Sequence, residues 1–133
     1  MIETSKHSFM NQGFMKTIGA KIISIEKGTV KIECAYNKKL AQQNGYFHAG
    51  VITSIVDVAC GYAAHSMMPE GSEVLSVEFK TNFIRAAKAE KIIAIGKVVK
   101  SGKTLSFCEG KVTDGSEKIV FATMQATMIC LKK

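Results

Sequence analysis

The sequence predicts an α+β domain in which one long antiparallel sheet wraps around a single central helix. Three observations point to it. The run 49–68 is almost wholly apolar or small and is stopped by Pro69 and Gly71, as a buried helix would be. Two strand-like segments precede this run and four follow it, several of them long for a small domain. The connections between the later segments are short turns, which join neighbours antiparallel. A helix apolar on nearly every side cannot be satisfied along one stripe, so it needs cover from several directions. A curved sheet supplies that cover.

Taken in order, residues 8–16 form a short helix. Residues 22–26 and 30–36 are strands that turn at Lys27, Gly28 and Thr29. The polar, glycine-bearing stretch from Gln42 to His48 leads into the central helix, 49–67. Residues 74–84, 91–100, 105–113 and 118–131 are the remaining strands, with turns at Ala86-Ala87-Lys88, Ser101-Gly102-Lys103 and Asp114-Gly115-Ser116. In the first of them Leu75, Val77, Phe79 and Phe83 alternate with Ser76, Glu78, Lys80 and Asn82, the pattern of a half-buried antiparallel strand. No linker interrupts the 133 residues, which form one domain, 1–133, with 47% hydrophobic content to build its core.

Lysine and arginine number 18 against 11 acidic residues, a formal charge of +7. That excess favours anionic partners: nucleic acid, an acidic membrane surface or a phosphorylated small molecule. The lysines are scattered and no recognition helix or aromatic platform appears, which weighs against nucleic acid. Cys34, Cys60, Cys108 and Cys130 lie far apart without a Cys-x-x-Cys pair, so they read as small core residues and no metal site is signalled. The start of the chain lacks the pattern of a signal peptide, giving a cytoplasmic expectation. The central run is rich in Ala, Gly, Ser and Thr and contains Asp57 and His65, so it reads as a core helix and not a membrane span.

Asp57 is the only acidic residue in the run 49–68. An uncompensated buried carboxylate is costly, so such a residue is paired, protonated or poised for chemistry. Thr53, Ser54, Cys60, Gly61 and Ala64 lie three, four or seven positions from it and share its face, whereas Val51, Ile52, Ile55, Val58 and Tyr62 belong mostly to others. Small side chains around a carboxylate admit a ligand or a second subunit. The competing reading is a carboxylate that reaches solvent or pairs with a lysine.

The loop before the helix holds groups that chemistry can use. Gln42 donates and accepts hydrogen bonds, His48 does either according to its state, and Ala49 and Gly50 present free backbone N–H groups at a helix start. Such N–H groups suit a developing oxyanion. Taken singly, Gln42 reads as a surface residue and His48 as a helix-start residue with a structural hydrogen bond.

The stretch QQNGYFHAGVITSIVDVACGYAA, followed by LSVEFKTNFIRAA, KSGKTL and FATMQATMIC, resembles the hotdog-fold acyl-CoA thioesterases in the branch of the phenylacetic-acid-pathway (PaaI-type) enzymes. The likeness runs from around Phe14 to Leu131. It implies the wrapped-helix fold, edge-to-edge pairing of two domains, often a dimer of such dimers (a homotetramer), and a site shared between subunits. By the same resemblance Asp57 is the catalytic acid, as general base or nucleophile. His48 helps to place the water, the Ala49 N–H polarises the thioester carbonyl, and the Ser76 hydroxyl orients the reacting groups. Gln42 stands for the family's frequent asparagine, with Asn44 a further candidate. Arg85, Lys88, Lys100 and Lys103, with Ser101 and Gly102 in the turn, are the candidate contacts for the phosphates of coenzyme A, which enters as part of the substrate; no separate cofactor is expected.

Three positions depart from the family pattern. Alanine replaces the first glycine at Ala49, Gln42 is one methylene longer than asparagine, and Ala86 replaces a proline after the strand arginine. Alanine serves at position 49 if the local φ is negative, since only its N–H is required. The expected reaction is hydrolysis of an acyl-CoA to free acid and coenzyme A; the sequence does not fix the acyl group, and aryl and medium-chain acids are the candidates. The alternatives are a hydratase or dehydratase of acyl thioesters, and an acyl-CoA-binding sensor without turnover. Tyr46, Phe47, Tyr62, Met67, Met68 and Phe83 are candidates for an apolar acyl pocket and equally for the core.

Overall fold

The computed structural model describes residues 1–132. Helices α1 (Ile2–Met10) and α2 (Gly13–Ile18) precede strands β1 (Ala20–Glu26) and β2 (Thr29–Ala35). A single 3-10 turn at Lys38–Leu40 leads through the polar loop to helix α3 (Ala49–His65). Strands β3 (Ser72–Phe83), β4 (Lys91–Ser101), β5 (Leu105–Asp114) and β6 (Val120–Lys132) complete the chain. The six strands form one antiparallel sheet in the order β1-β2-β4-β5-β6-β3, with α3 packed along its concave face. This is the wrapped-helix architecture that the patterning predicts.

Three local expectations change. The N-terminal helix is two helices, because Gln12 takes an extended conformation (φ −77°, ψ 107°) and Asn11 and Gly13 flank it. The central helix ends at His65 and not Met67: the Met67 and Met68 N–H groups close turns onto Ala64 and His65 ahead of Pro69. The alternation in β3 is broken by a bulge, since its register against β6 slips between Ser76 and Glu78. Ser76 opposite Met128 and Phe79 opposite Ala126 therefore share the helix-facing side. Leu75, opposite Ile129, points to the outer face. A period of two read straight through Val77 assigns these side chains wrongly.

The core lies between α3 and the sheet, with Ile55, Val56 and Ala59 of the helix against Ile32, Ala94 and Val112, all fully buried. Each fully buried Ile or Val contributes ~1.5–3 kcal/mol. Gly96 and Gly110 face each other across β4 and β5 and let the helix lie flat. A Cβ at Gly96 would stand 2.3 Å from the Ala59 carbonyl carbon, and one at Gly110 would stand 2.5 Å from Val56 Cγ2. The sequence leaves these strand glycines unexplained until the helix is in place. All four cysteines are buried and unpaired, as small core residues should be. Among the described residues no helix is long and apolar enough to cross a membrane.

α1 and α2 close one side of α3 through polar contacts. His65, only 3% exposed, meets Ser5 Oγ at 2.6 Å through Nδ1 and the Ser72 carbonyl at 3.0 Å through Nε2. A carbonyl only accepts, so Nε2 carries a proton, and in the neutral ring Nδ1 then accepts from the serine hydroxyl. The Tyr62 hydroxyl meets Ser8 Oγ at 2.8 Å and accepts from Gln12 Nε2 at 3.0 Å.

Candidate active site

Helix α3 presents a partly exposed stripe of Thr53, Ser54, Asp57, Val58 and Gly61, while Cys60 and Ala64 turn inward to the sheet. The helical spacing therefore places Thr53, Ser54 and Gly61 correctly beside Asp57. It errs for Cys60 and Ala64, which are buried, and for Val58, which joins the stripe. The Ser76 hydroxyl, on the helix-facing side of the edge strand β3, donates to Asp57 Oδ1 at 2.6 Å. Burial pushes the Asp57 carboxyl above the ordinary aspartate range, and the Ser76 hydrogen bond pulls the other way. Asp57 makes no ion pair among the described residues. The lysine-paired reading of this carboxylate is thus not what the fold provides.

Nine positions before Asp57, at the start of the same helix, His48 is the N-cap residue. Its Nδ1 accepts from the Gly50 N–H at 2.8 Å, which leaves Nε2 as the protonated, outward nitrogen of the neutral ring. Gly50 is accordingly occupied. The Ala49 N–H, first in the helix, has no acceptor among the described residues. Its φ is not positive, since Glu117 is the only described non-glycine residue with positive φ, so alanine sits here without strain. Of the two N–H groups expected for a carbonyl oxygen, one remains available.

The loop that presents this N–H is tightly built. The Gln42 N–H donates to the Tyr46 carbonyl at 2.8 Å, and Gln42 Oε1 accepts from the backbone N–H groups of Asn44 and Tyr46. Gly45 takes φ +86° to close the turn, and the Phe47 N–H donates to the Ala87 carbonyl at 3.0 Å. The oxygen of the Gln42 amide is committed to the turn, which leaves its NH2 group without a partner among the described residues. Asn44 contributes its backbone N–H to that turn and is exposed.

These groups fall into two hollows. One, of about 270 Å3, contains Asp57, Ser76, Gly61, Tyr62 and Glu73 and is walled by Ser8 and Gln12. The other, also about 270 Å3, contains Gln42, Ala49, Phe83 and Arg85. Along α3, eight residues separate Ala49 from Asp57 by ~12 Å. Within one chain the carboxylate and the free N–H do not meet at a single carbonyl.

The candidate phosphate contacts divide likewise. Arg85 and Lys88 lie in the loop after β3, near the β6 residue Ala122. Lys100, Ser101, Gly102 and Lys103 lie at the β4–β5 turn, near Ile129 at the other end of β6. Seven residues of extended strand, ~23 Å, lie between the two ends. All six are exposed. Gly102 also has a reason within the chain: its N–H donates to the Leu105 carbonyl at 2.9 Å, and a Cβ would come within 2.4 Å of that oxygen.

Phe47, Tyr62 and Met68, candidates for an acyl pocket, are buried in the core, whereas Met67 and Phe83 are exposed. Tyr46 and Phe83 line the Ala49 hollow. Sequence spacing missed Gln12 and Glu73 as walls of the Asp57 hollow, and took Ser8 only as the start of a helix. Gln12 and Ser8 are brought in from more than forty positions away by the folding of α1 and α2, and no local pattern announces that. Burial pushes the Cys60 and Cys108 thiols up, Cys108 to about 11, so both stay protonated and neither is a nucleophile.

Comparison with known proteins follows the same lines. The family model of the thioesterase superfamily matches residues 44–121. The crystal structure of a thioesterase family protein from Silicibacter pomeroyi is 38% identical and superposes with a TM-score of 0.94 over 98% of both chains. The 1,4-dihydroxy-2-naphthoyl-CoA hydrolase of Listeria monocytogenes is 29% identical over 108 residues, 81% of this chain and 88% of that one. The PaaI protein from the phenylacetic acid degradation operon of E. coli, 20% identical, shares the fold with a TM-score of 0.86 over 96% of this chain and 91% of its own. With the matched segment spanning more than half of the sequence, from the polar loop through α3 into β6, the chain belongs to the thioesterase superfamily.

Proposed function

We propose that the protein hydrolyses an acyl-CoA thioester to the free acid and coenzyme A at a site completed by two chains. The observation that carries this reading is the Asp57 carboxylate, hydrogen-bonded to Ser76 and partly open to a hollow on the helix face. Membership of the thioesterase superfamily and the likeness to a CoA-thioester hydrolase support the reaction class.

The separation of Asp57 from Ala49 supports a dimer. Among the described residues β3 is an edge of the sheet with no strand outside it, and its helix-facing Phe79 and Phe83 are exposed. Antiparallel pairing of β3 with its copy extends the sheet, covers these rings and reverses one domain against the other. The loop at Gln42, His48 and Ala49 of one chain then approaches Asp57 and Ser76 of the second. The same reversal brings Arg85 and Lys88 of one chain toward Lys100, Ser101, Gly102 and Lys103 of the other, where they contact the phosphates. Pairing of two such dimers accounts for a tetramer.

In this site the Ala49 N–H, at the positive end of α3, holds the thioester oxygen. Asp57 removes a proton from a water placed by His48 Nε2–H and the Gln42 amide, or attacks the carbonyl carbon itself. The tetrahedral species expels the coenzyme A thiolate, which takes up a proton; where Asp57 itself attacked, water then cleaves the acyl–Asp57 anhydride to release the free acid and restore the carboxylate. A carboxyl raised by burial is the stronger base for this step.

The test is thiol release from a panel of short, long and aryl acyl-CoAs, with Asp57→Ala as control. Release that disappears in the variant is expected. Hydration of an unsaturated acyl-CoA without thiol release would place the protein among hydratases instead, and tight binding without turnover would make it a sensor. Rising salt should weaken the apparent affinity for acyl-CoA, because exposed phosphate contacts are screened.

A further inference from the structure

Beyond the carbonyl, an acyl group bound at Asp57 must run somewhere. On the Ala49 side the walls lead to Arg85, the direction assigned above to coenzyme A. The acyl group is left with the hollow behind Asp57. That hollow has a mixed lining: Val58, Val74 and Met128 offer apolar surface, and beyond Asp57 and Ser76 the polar groups of Gln12, Tyr62 and Glu73 stand among them.

Gln12 is the residue of this wall with a free hand. It is the N-cap of α2, yet its side chain makes no capping hydrogen bond. The side chain turns toward α3 instead, and Nε2 donates to the Tyr62 hydroxyl at 3.0 Å. Ser8 Oγ takes the other side of that hydroxyl at 2.8 Å. The phenol is thereby fixed and largely satisfied. Gln12 keeps an oxygen acceptor and a second amide hydrogen without a protein partner among the described residues, and it is only partly exposed. Tyr62 follows Asp57 by five residues, ~7.5 Å along the helix, so this amide stands past the carbonyl and not beside it.

Resting on the thioesterase reading, we infer that Gln12 is a specificity-determining residue that hydrogen-bonds a hydroxyl or other polar group on the distal part of the acyl chain. The substrate class is accordingly an acyl-CoA with a polar substituent beyond the thioester. A plain alkyl group in the same hollow covers the Gln12 amide and gives no hydrogen bond in return, and buried polar groups left unpaired are what lets such sites reject the apolar analogue.

The experiment compares kcat and KM for acyl-CoAs of equal skeleton with and without a distal hydroxyl, such as 6-hydroxyhexanoyl-CoA against hexanoyl-CoA and 4-hydroxybenzoyl-CoA against benzoyl-CoA. In at least one pair kcat/KM should favour the hydroxylated member by about ten-fold, the worth of one hydrogen bond. Gln12→Leu should bring that ratio to about one or reverse it, mainly through KM. A merely structural tie between α2 and α3 predicts that both substrates suffer alike with the ratio unchanged, and that result overturns the inference. Inhibition by the two free acids measures the same discrimination on the unaltered protein, whatever the variant's stability. Hydrolysis of both members of each pair with equal efficiency removes the role of Gln12 but leaves the thioesterase reading standing. Absence of thiol release from every acyl-CoA removes both.

Discussion

The Ser76 hydroxyl reaches from the edge strand to Asp57 on the central helix, 2.6 Å from Oδ1, and opposes the effect of burial on that carboxyl. Burial raises the carboxyl and the hydrogen bond stabilises its ionised form. Ser76→Ala removes only the second influence, so the Asp57 pKa should rise further and the acid limb of kcat/KM against pH should move to higher pH. At neutral pH the loss should be no more than about ten-fold, one hydrogen bond's worth. An acid limb that stays where it was would separate Ser76 from the titration of Asp57.

Asp57→Asn should lower kcat by ~10²–10⁴-fold, the usual contribution of a positioned base. Its stability should move the other way. A carboxyl whose folded pKa is raised binds its proton more tightly in the folded state, so stability falls as pH rises from the unfolded-state pKa through the folded one. On the alkaline side of that window the wild type carries the penalty and the asparagine variant does not. The variant's Tm at pH 7 should equal or exceed that of the wild type, with the difference closing as pH drops toward the unfolded carboxyl's range. Thermal melts across pH check the sign; a variant clearly less stable at pH 7 would show that Asp57 is structural.

Much of this arrangement is legible in the sequence because it follows from local rules. The apolar run with one carboxylate gives α3, and the spacing places Thr53, Ser54 and Gly61 beside Asp57 though not Val58; the short turns give the antiparallel order of β4, β5 and β6. The register of β3 is not legible, because a bulge at Val77 costs the pattern nothing while moving Phe79 to the side of Ser76. The occupation of the Gly50 N–H by His48 depends on a rotamer and not on residue type. The Gln12 contact with Tyr62 depends on where α2 docks.

Gly96 is where sheet and helix approach most closely. Gly96→Ala places a Cβ 2.3 Å from the Ala59 carbonyl carbon, which is backbone and cannot swing aside. Such overpacking costs ~1–3 kcal/mol and must shift α3, and Asp57 with it. Both Tm and kcat should fall. Gly13→Ala is the control, since a Cβ there meets nothing within 4 Å, and its Tm should stay near that of the wild type. Equal behaviour of the two variants in thermal melts would contradict the close packing of α3 on β4.

Ala49 offers a substitution that removes an N–H and little else. It is the first residue of α3, a position where proline is at home, and His48 before it is already extended at ψ 139°. Ala49→Pro should therefore fold and lose no internal hydrogen bond, while catalysis falls by ~10²–10³-fold, as for the loss of one oxyanion donor. The variant also distinguishes a shared site from one confined to a single chain. If Ala49 of one chain serves Asp57 of the other, a mixed dimer of Ala49→Pro and Asp57→Asn chains has one site with both defects and one with neither. Co-refolding the two inactive variants in equal amounts gives half mixed dimers by random pairing, so activity should return to about a quarter of the wild-type level. A site lying within one chain is damaged in every subunit of that mixture, and activity would then stay at the level of the separate variants.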